Sequence, residues 1–354
     1  MIKVLVVDDS AFNRKVISEI LQSIDEIEII GTAHDGEDAI KHIYKQKPDI
    51  ITLDLEMPKM DGFTFLRWLM NYSPIPVIVV SAKEADENVF KALELGAVDF
   101  IPKPSSYPSL KLKEIHHLLI EKILAAKYAK ITVPQKKEPK PVPEKHKATR
   151  AGLPSDYIVA IGASTGGPQA IQYILSNLAP DFIIPIVVAQ HMPPTFTPLF
   201  AERLNKKTHF TVKEAETNEI IKPHFAYICP GGKHTIIEKK GSHNTFSFIE
   251  RTNNDKYIPS INKLFSSLST IYQDKMLAAI LTGMGDDGTE GISTVKASGG
   301  KIIAESPDSA IVFGMPGEAI RSGQVDHIFH LAKIPSFISL YTTDTAKKKS
   351  PDKK

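Results

Sequence analysis

A chain of 354 residues with 42% hydrophobic and 24% charged residues is long enough for two cores of ordinary size. A formal net charge of +2 gives no general reason to expect nucleic-acid binding, and a single cysteine, Cys229, excludes an intramolecular disulfide and any metal site built on cysteines. No stretch reaches the roughly 20 apolar residues of a membrane helix and MIKVLVVDDS is no signal peptide, so a cytoplasmic protein without membrane insertion is expected.

Residues 1–126 alternate strand and helix. Short apolar strands are predicted at Lys3–Val7, Ile27–Thr32, Ile50–Asp54, Pro76–Ser81 and Val98–Ile101, and a last helix from Leu110 to about Ala126. Such alternation implies a parallel sheet covered by helices on both faces, with ligands bound beyond the carboxyl ends of the strands. Those ends carry Asp8 and Asp9, then Asp54, Ser81 and Lys103. Clustered carboxylates repel one another and need a cation, and oxygen donors beside water suit Mg2+. A carboxylate beside that ion is a plausible phosphoryl acceptor, with Lys103 and Ser81 holding the phosphate oxygens. The competing reading makes each acid an N-cap or a solvent-facing loop residue. Matched residues at successive strand ends favour a site.

The segments VLVVDDS, DIITLDLEMPKMDG, VIVVSA and GAVDFIPKP resemble the receiver domain of two-component response regulators along its whole length. The resemblance implies a flavodoxin-like fold with a five-stranded parallel sheet and Asp54 as the phosphoacceptor. It implies Mg2+ held by Asp9, Asp54 and the backbone of Glu56, with Asp8 acting through the outer shell. Ser81 matches the switch hydroxyl, and Lys103 the phosphate-binding lysine, followed by a cis peptide to Pro104. Phe100 stands at the aromatic switch position, where many receivers have tyrosine.

Residues 127–155 are rich in Pro and Lys and poor in large apolar residues. Such a segment buries too little surface to fold alone and is expected to be an extended, semi-rigid tether.

Alternation resumes over residues 156–345, before a Lys-rich tail at 346–354. Strands are predicted at Tyr157–Ile161, Ile183–Ala189, Ala226–Cys229, Met276–Leu281 and Lys301–Ala304, with a hairpin turning at Gly241–Asn244. The expected fold is a doubly wound, mainly parallel α/β sheet carrying an antiparallel hairpin. After the first strand, Gly162-Ala163-Ser164-Thr165-Gly166 matches G-x-S-x-G, a turn that lifts a serine hydroxyl above the sheet edge beside free helix amides. It nearly fits the dinucleotide fingerprint G-x-G-x-x-G as well, but Ser164 occupies the middle-glycine slot. His191 follows the second strand, and Gly283-Met284-Gly285-Asp286-Asp287-Gly288 follows the Met276–Leu281 strand. A serine hydroxyl needs a base to take its proton, and the base needs a carboxylate to fix its tautomer. Either Asp286 or Asp287 can supply that carboxylate on this pattern. His224, His234 and His243 are expected to be surface or capping residues, Cys229 buried filler, and Met192 and Met284 pocket wall.

IGASTGGPQA, AQHMPPTFTPLFAERL, CPGGKHT, LTGMGDDGTEGI, SAIVFGMPGEAI and RSGQVDHI resemble the catalytic domain of the chemotaxis protein-glutamate methylesterase family, and the receiver–linker–esterase order matches as well. The resemblance implies Ser164 as nucleophile, His191 as base, Asp287 as orienting acid, and the Thr165 and Met284 amides at the oxyanion. YIPSINKLFSSL departs from the family's R-P-S-V-D-x-L-F, so an arginine and an acid expected near the substrate groove are missing. The implied reaction is hydrolysis of glutamate methyl esters on methyl-accepting chemoreceptors, with glutamine deamidation, controlled by a histidine kinase as phosphodonor. A monomer is expected, whose unphosphorylated receiver covers the Ser164 edge. The rivals are an output domain that only binds a partner and one that binds a nucleotide.

Overall fold

The computed structural model describes residues 1–81, 88–103, 109–131 and 156–347, the side chains of 109–115 and 342–347 excepted. The Lys103–Pro104 peptide, the tether from residue 132 and the tail beyond 347 lie outside the described residues. The chain divides into two compact units, Met1–Glu138 and Pro139–Lys354.

The first unit runs β1 (Ile2–Val7), α1 (Ala11–Gln22), β2 (Ile27–Ala33), α2 (Gly36–Lys45), β3 (Ile50–Leu53), α3 (Gly62–Tyr72), β4 (Val77–Ser81), α4 (Asn88–Glu94), β5 (Asp99–Pro102) and α5 (Ser109–Ala126). Its five strands form one parallel sheet in the order β2-β1-β3-β4-β5, as expected. Strands β3, β4 and β5 are buried at every position, which is why they read as mostly apolar rather than alternating, with Thr52, Ser81 and Asp99 as their buried polar members. Short polar side chains start the helices. Ser10, Asp35 and Asp61 each accept the amide three residues on, pairing a donor that the helix leaves unpaired. The strand order reverses between β1 and β3, so Asp8 and Asp54 sit at the switch point where such sheets bind ligands.

The second unit runs β6 (Ile158–Ala163), α6 (Gly167–Asn177), β7 (Ile186–Gln190), α7 (Thr197–Lys207), β8 (Thr211–Glu214), β9 (Phe225–Ile228), β10 (Lys233–Lys240), β11 (His243–Glu250), α8 (Ile261–Tyr272), β12 (Met276–Ile280), α9 (Thr289–Ala297), β13 (Lys301–Glu305), α10 (Met315–Arg321), β14 (His327–Phe329) and α11 (Ile334–Lys347). Seven strands form a parallel sheet in the order β14-β13-β12-β6-β7-β9-β8, and β10 and β11 form the antiparallel hairpin. The hairpin turns at Gly241–Ser242, tighter than expected, with Gly241 in the left-handed region at φ 60°. Strand β7 starts at Ile186 rather than Ile183, whose side chain is 47% exposed. The two outermost strands, β8 and β14, were not expected. They are four and three residues long, and neither carries a continuous buried run.

Helix α8 packs directly on β6, since a Cβ at Gly162 would lie 2.6 Å from Ile261 Cγ2. Cys229 is wholly buried, and burial pushes its thiol up to about 12, in keeping with a space-filling role. Among the described residues no helix is long and apolar enough to cross a membrane.

Candidate active site

The first unit gathers its polar residues at the switch point. Asp8 is buried, Asp9 exposed and Asp54 buried, and each offers a carboxylate oxygen within 4.8 Å of the others'. Lys103 Nζ lies 2.9 Å from Asp8 Oδ2 and 2.7 Å from Asp54 Oδ2. Asp8 Oδ1 accepts from the Ser10 amide at 2.9 Å and from Asn13 Nδ2 at 3.2 Å, which fixes this carboxylate. Glu56 joins through its amide, which donates to Asp54 Oδ1 at 3.3 Å. Burial raises the Asp54 carboxyl to about 6, with the Asp8 charge adding to the rise and Lys103 opposing it. Burial also works on the Lys103 ammonium, downwards, but its bonds to Asp54 and Asp8 outweigh that and hold it above the ordinary lysine value.

Ser81 is buried at the end of β4, where its carbonyl accepts the Lys103 amide at 2.7 Å. Phe100 is also buried, its ring 6.0 Å from that of Phe90 in an edge-to-face pair. Three carboxylates and no nitrogen or sulfur donor make a set that fits a small hard cation such as Mg2+.

In the second unit the sheet's order reverses between β6 and β12, where the Ser164 and Asp287 loops leave, and the His191 loop leaves the next strand, β7. Register places the first two side by side. Ala163 pairs with Gln190 at the end of the β6–β7 ladder, and the His191 amide continues it to the Ala163 carbonyl at 3.1 Å. Ser164 donates its amide to Thr282 O at 3.0 Å and accepts that of Gly167 at 2.8 Å, closing the turn that starts α6. Gly166 sits at φ 79°, and a Cβ on Gly167 would lie 2.0 Å from Gln190 Oε1. The glycines therefore let the turn pack against Gln190 and Ile311, with no open cradle for a pyrophosphate. That weighs against the dinucleotide reading.

His191 Nε2 and Asp287 Oδ2 are 2.8 Å apart. Asp287 is buried and saturated. Its Oδ2 also accepts the Ile261 amide at 2.8 Å, and its Oδ1 accepts the amides of Asn262 and Gly288, both at 3.0 Å. Burial, the largest influence, would raise this carboxyl. The His191 bond and charge together with the amides at the N-terminus of α8 outweigh it and hold Asp287 below the ordinary carboxylate range. Asp286 is not the partner of His191. Its Oδ1 accepts the Tyr257 hydroxyl at 2.8 Å and lies 3.0 Å from Lys256 Nζ. With Nε2 given to Asp287, Nδ1 is the ring nitrogen left for Ser164. No Ser164–His191 hydrogen bond occurs among the described residues, and contacts of this kind commonly tighten only on substrate binding.

Thr165 is buried and Met284 half-buried, and among the described residues neither backbone amide donates to another backbone carbonyl. Thr282 Oγ1 donates to the Thr165 carbonyl at 2.8 Å and accepts the Val312 amide at 2.9 Å, fixing the Thr165–Gly166 peptide. A Cβ at Gly283 would lie 2.8 Å from Ser164 Cβ, so only glycine lets the Met284 loop approach Ser164 this closely.

Several supporting residues were missed. Gln190 Nε2 donates to the carbonyls of Ser164 at 2.9 Å and His191 at 3.1 Å, tying the two loops together. Its place one residue before His191 was the available signal. Asn262 stands where the family pattern has an acid, yet its Oδ1 accepts the amides of Gly288 and Gly291 at 2.9 and 2.8 Å, so an uncharged side chain caps α9. His234 is corrected too. It is fully buried, accepts the Ser260 amide on Nδ1 at 3.1 Å and lies 3.0 Å from Asp255 Oδ2, whereas His243 is exposed as expected.

Residues 159–338 match the CheB methylesterase family, and residues 4–113 match the response regulator receiver domain. A protein-glutamate methylesterase/protein-glutamine glutaminase of Myxococcus xanthus is 43% identical over 335 residues, covering 94% of this chain and 95% of that protein. A relative of the same name from Halalkalibacterium halodurans is 45% identical, covering 95% and 97%. The crystal structure of the Thermotoga maritima CheB methylesterase catalytic domain is 41% identical, superposes with a TM-score of 0.51, and covers 53% of this chain and 99% of that one.

Proposed function

Since this chain belongs to the protein-glutamate methylesterase/protein-glutamine glutaminase family, we propose that it is a cytoplasmic chemotaxis response regulator whose second unit hydrolyses glutamate methyl esters on chemoreceptors. The observation that carries this reading is the saturated Asp287 carboxylate 2.8 Å from the His191 ring, beside the buried Ser164 turn.

His191 Nδ1 takes the Ser164 proton as Oγ attacks the γ-carbonyl of a methylated receptor glutamate. Negative charge grows on the carbonyl oxygen, where the Thr165 and Met284 amides stabilise it. Asp287 holds the ring in orientation and steadies the imidazolium. His191 then gives its proton to the leaving methoxide, and methanol departs from an acyl-Ser164 intermediate. Water, activated by the same ring, releases the receptor glutamate. A receptor glutamine enters the same route, with ammonia as the leaving group.

In the first unit Asp54 accepts a phosphoryl group from a histidine kinase. Asp9, Asp54 and the Glu56 backbone would hold Mg2+, with Asp8 acting through its outer shell, and the ion when bound would screen the carboxylates and the incoming phosphate. Lys103 and Ser81 receive the phosphoryl oxygens, and Phe100 follows the switch. Phosphorylation shifts the population towards the state in which Ser164 meets a receptor helix.

The test is methanol release from methylated receptor membranes. Wild type is expected to release it, and Ser164→Ala and His191→Gln to lose it. Full activity in Ser164→Ala would overturn the assignment.

A further inference from the structure

His191 is held at one edge by its bond to Asp287, and a ring held at one atom keeps the freedom to swivel about that bond. Tyr257 removes it. The two rings stack with centroids 5.2 Å apart and planes only 3° from parallel. Tyr257 is itself fastened: its hydroxyl donates to Asp286 Oδ1 at 2.8 Å and accepts the Asp286 amide at 3.4 Å. Lys256 Nζ lies 3.0 Å from the same Oδ1 and 4.7 Å from the centre of the Tyr257 ring. The loop after β12 is shaped to receive the phenol. Gly285 adopts φ 86°, and a Cβ there would lie 2.1 Å from Tyr257 Oη.

From this geometry we propose that Tyr257 is a positioning residue for the hydrolytic reaction, its ring face holding the His191 imidazole in the orientation that presents Nδ1 to Ser164. The inference rests on His191 being the base. The stack serves the chemistry in two ways. It spares the transition state the entropy of fixing the ring, the kind of misalignment that costs one to two orders of magnitude when left to chance. It also lays the electron-rich face of a phenol against an imidazole that turns cationic as the Ser164 proton is taken. Asp286, next to the orienting acid, thereby acquires a task of its own: with Lys256 it anchors Tyr257 rather than His191.

The experiment uses the full chain with Tyr257→Phe and Tyr257→Leu. Two readouts are taken: kcat and KM for methanol release, and the chemical shifts of the His191 ring protons by NMR, assigned with His191→Gln. The charged groups about the ring are Asp287, Asp286 and Lys256, and all stay in place in both variants. Tyr257→Leu is expected to lower kcat about tenfold with KM little changed. It is also expected to abolish the ring-current shift of the His191 protons. Tyr257→Phe, which keeps the ring but loses its bonds to Asp286, should retain part of the signal and a kcat between those of wild type and Tyr257→Leu. Wild-type kcat and unmoved His191 signals in Tyr257→Leu would overturn the proposal, as would a change confined to KM. Equal impairment of both variants would also overturn it, since the hydroxyl and not the ring would then matter. The NMR readout needs no turnover, so a wild type that released no methanol would sink the esterase reading while still leaving the stack tested.

Discussion

Asp287 and Asp54 are both buried carboxylates, and their surroundings push them in opposite directions. Burial alone would raise Asp287, but three backbone amides and His191 keep it ionised, so its folded value lies below the unfolded one. Its contribution to stability is present above the ordinary carboxylate value of about 4 and is lost as pH falls through the lowered folded value. Asp287→Asn should remove this acid-side term from a pH series of melting curves. It should also lower kcat by a factor on the order of 10^4, because an amide does not fix the imidazole tautomer as a carboxylate does. Burial and the Asp8 charge raise Asp54 from 3.8 to about 6. For a raised acid the sign reverses: stability is greatest below the unfolded value and is lost as pH rises through 6. Asp54→Asn should therefore raise the melting temperature of the first unit at pH 7.5 in EDTA by calorimetry, with the difference fading at pH 4. A lower melting temperature at pH 7.5 would show that the Lys103 ion pair outweighs the repulsion.

At the scale of elements, α8 is what connects the hairpin side of the second unit to the catalytic loop. Its first amides hold Asp287, its Asn262 caps α9, and its Ile261 lies against Gly162 of β6. Asn262→Ala leaves the Gly291 amide without its side-chain acceptor and the Gly288 amide with Asp287 alone, and should cost about 1–2 kcal/mol in denaturant unfolding, with a fall in kcat. Asn262→Asp keeps the acceptor and should hold near wild-type stability. An alanine variant as stable as wild type would remove this role from Asn262. Central elements were legible in the sequence because strands buried on both faces are continuous apolar runs, as in VIVVS and MLAAI. The edge strands were not. TVKE and HIF follow their neighbours by backbone pairing and leave no apolar run to read. His234 escaped for a related reason: a histidine in a hairpin looks like surface until the Ser260 amide and Asp255 are seen to meet it.

For the whole molecule, two parallel sheets each bring polar side chains to the strand ends beside the point where strand order reverses, and the strands that place them were legible in the sequence as apolar runs. What strand ends do not reveal is which neighbour takes which bond. The choice between Asp286 and Asp287, the stacking of Tyr257 and the capping by Asn262 are set by loops that meet only in the folded chain. The link between the sheets is functional: a phosphoryl group on Asp54 should control acyl transfer at Ser164. The most direct test is methanol release from methylated receptor membranes by wild type, Ser164→Ala and Asp54→Ala, with and without a small phosphodonor. The expected result is release by wild type that rises with phosphodonor, release by Asp54→Ala that does not respond to it, and none by Ser164→Ala. A phosphodonor response that survives in Asp54→Ala, or activity that survives in Ser164→Ala, would contradict it.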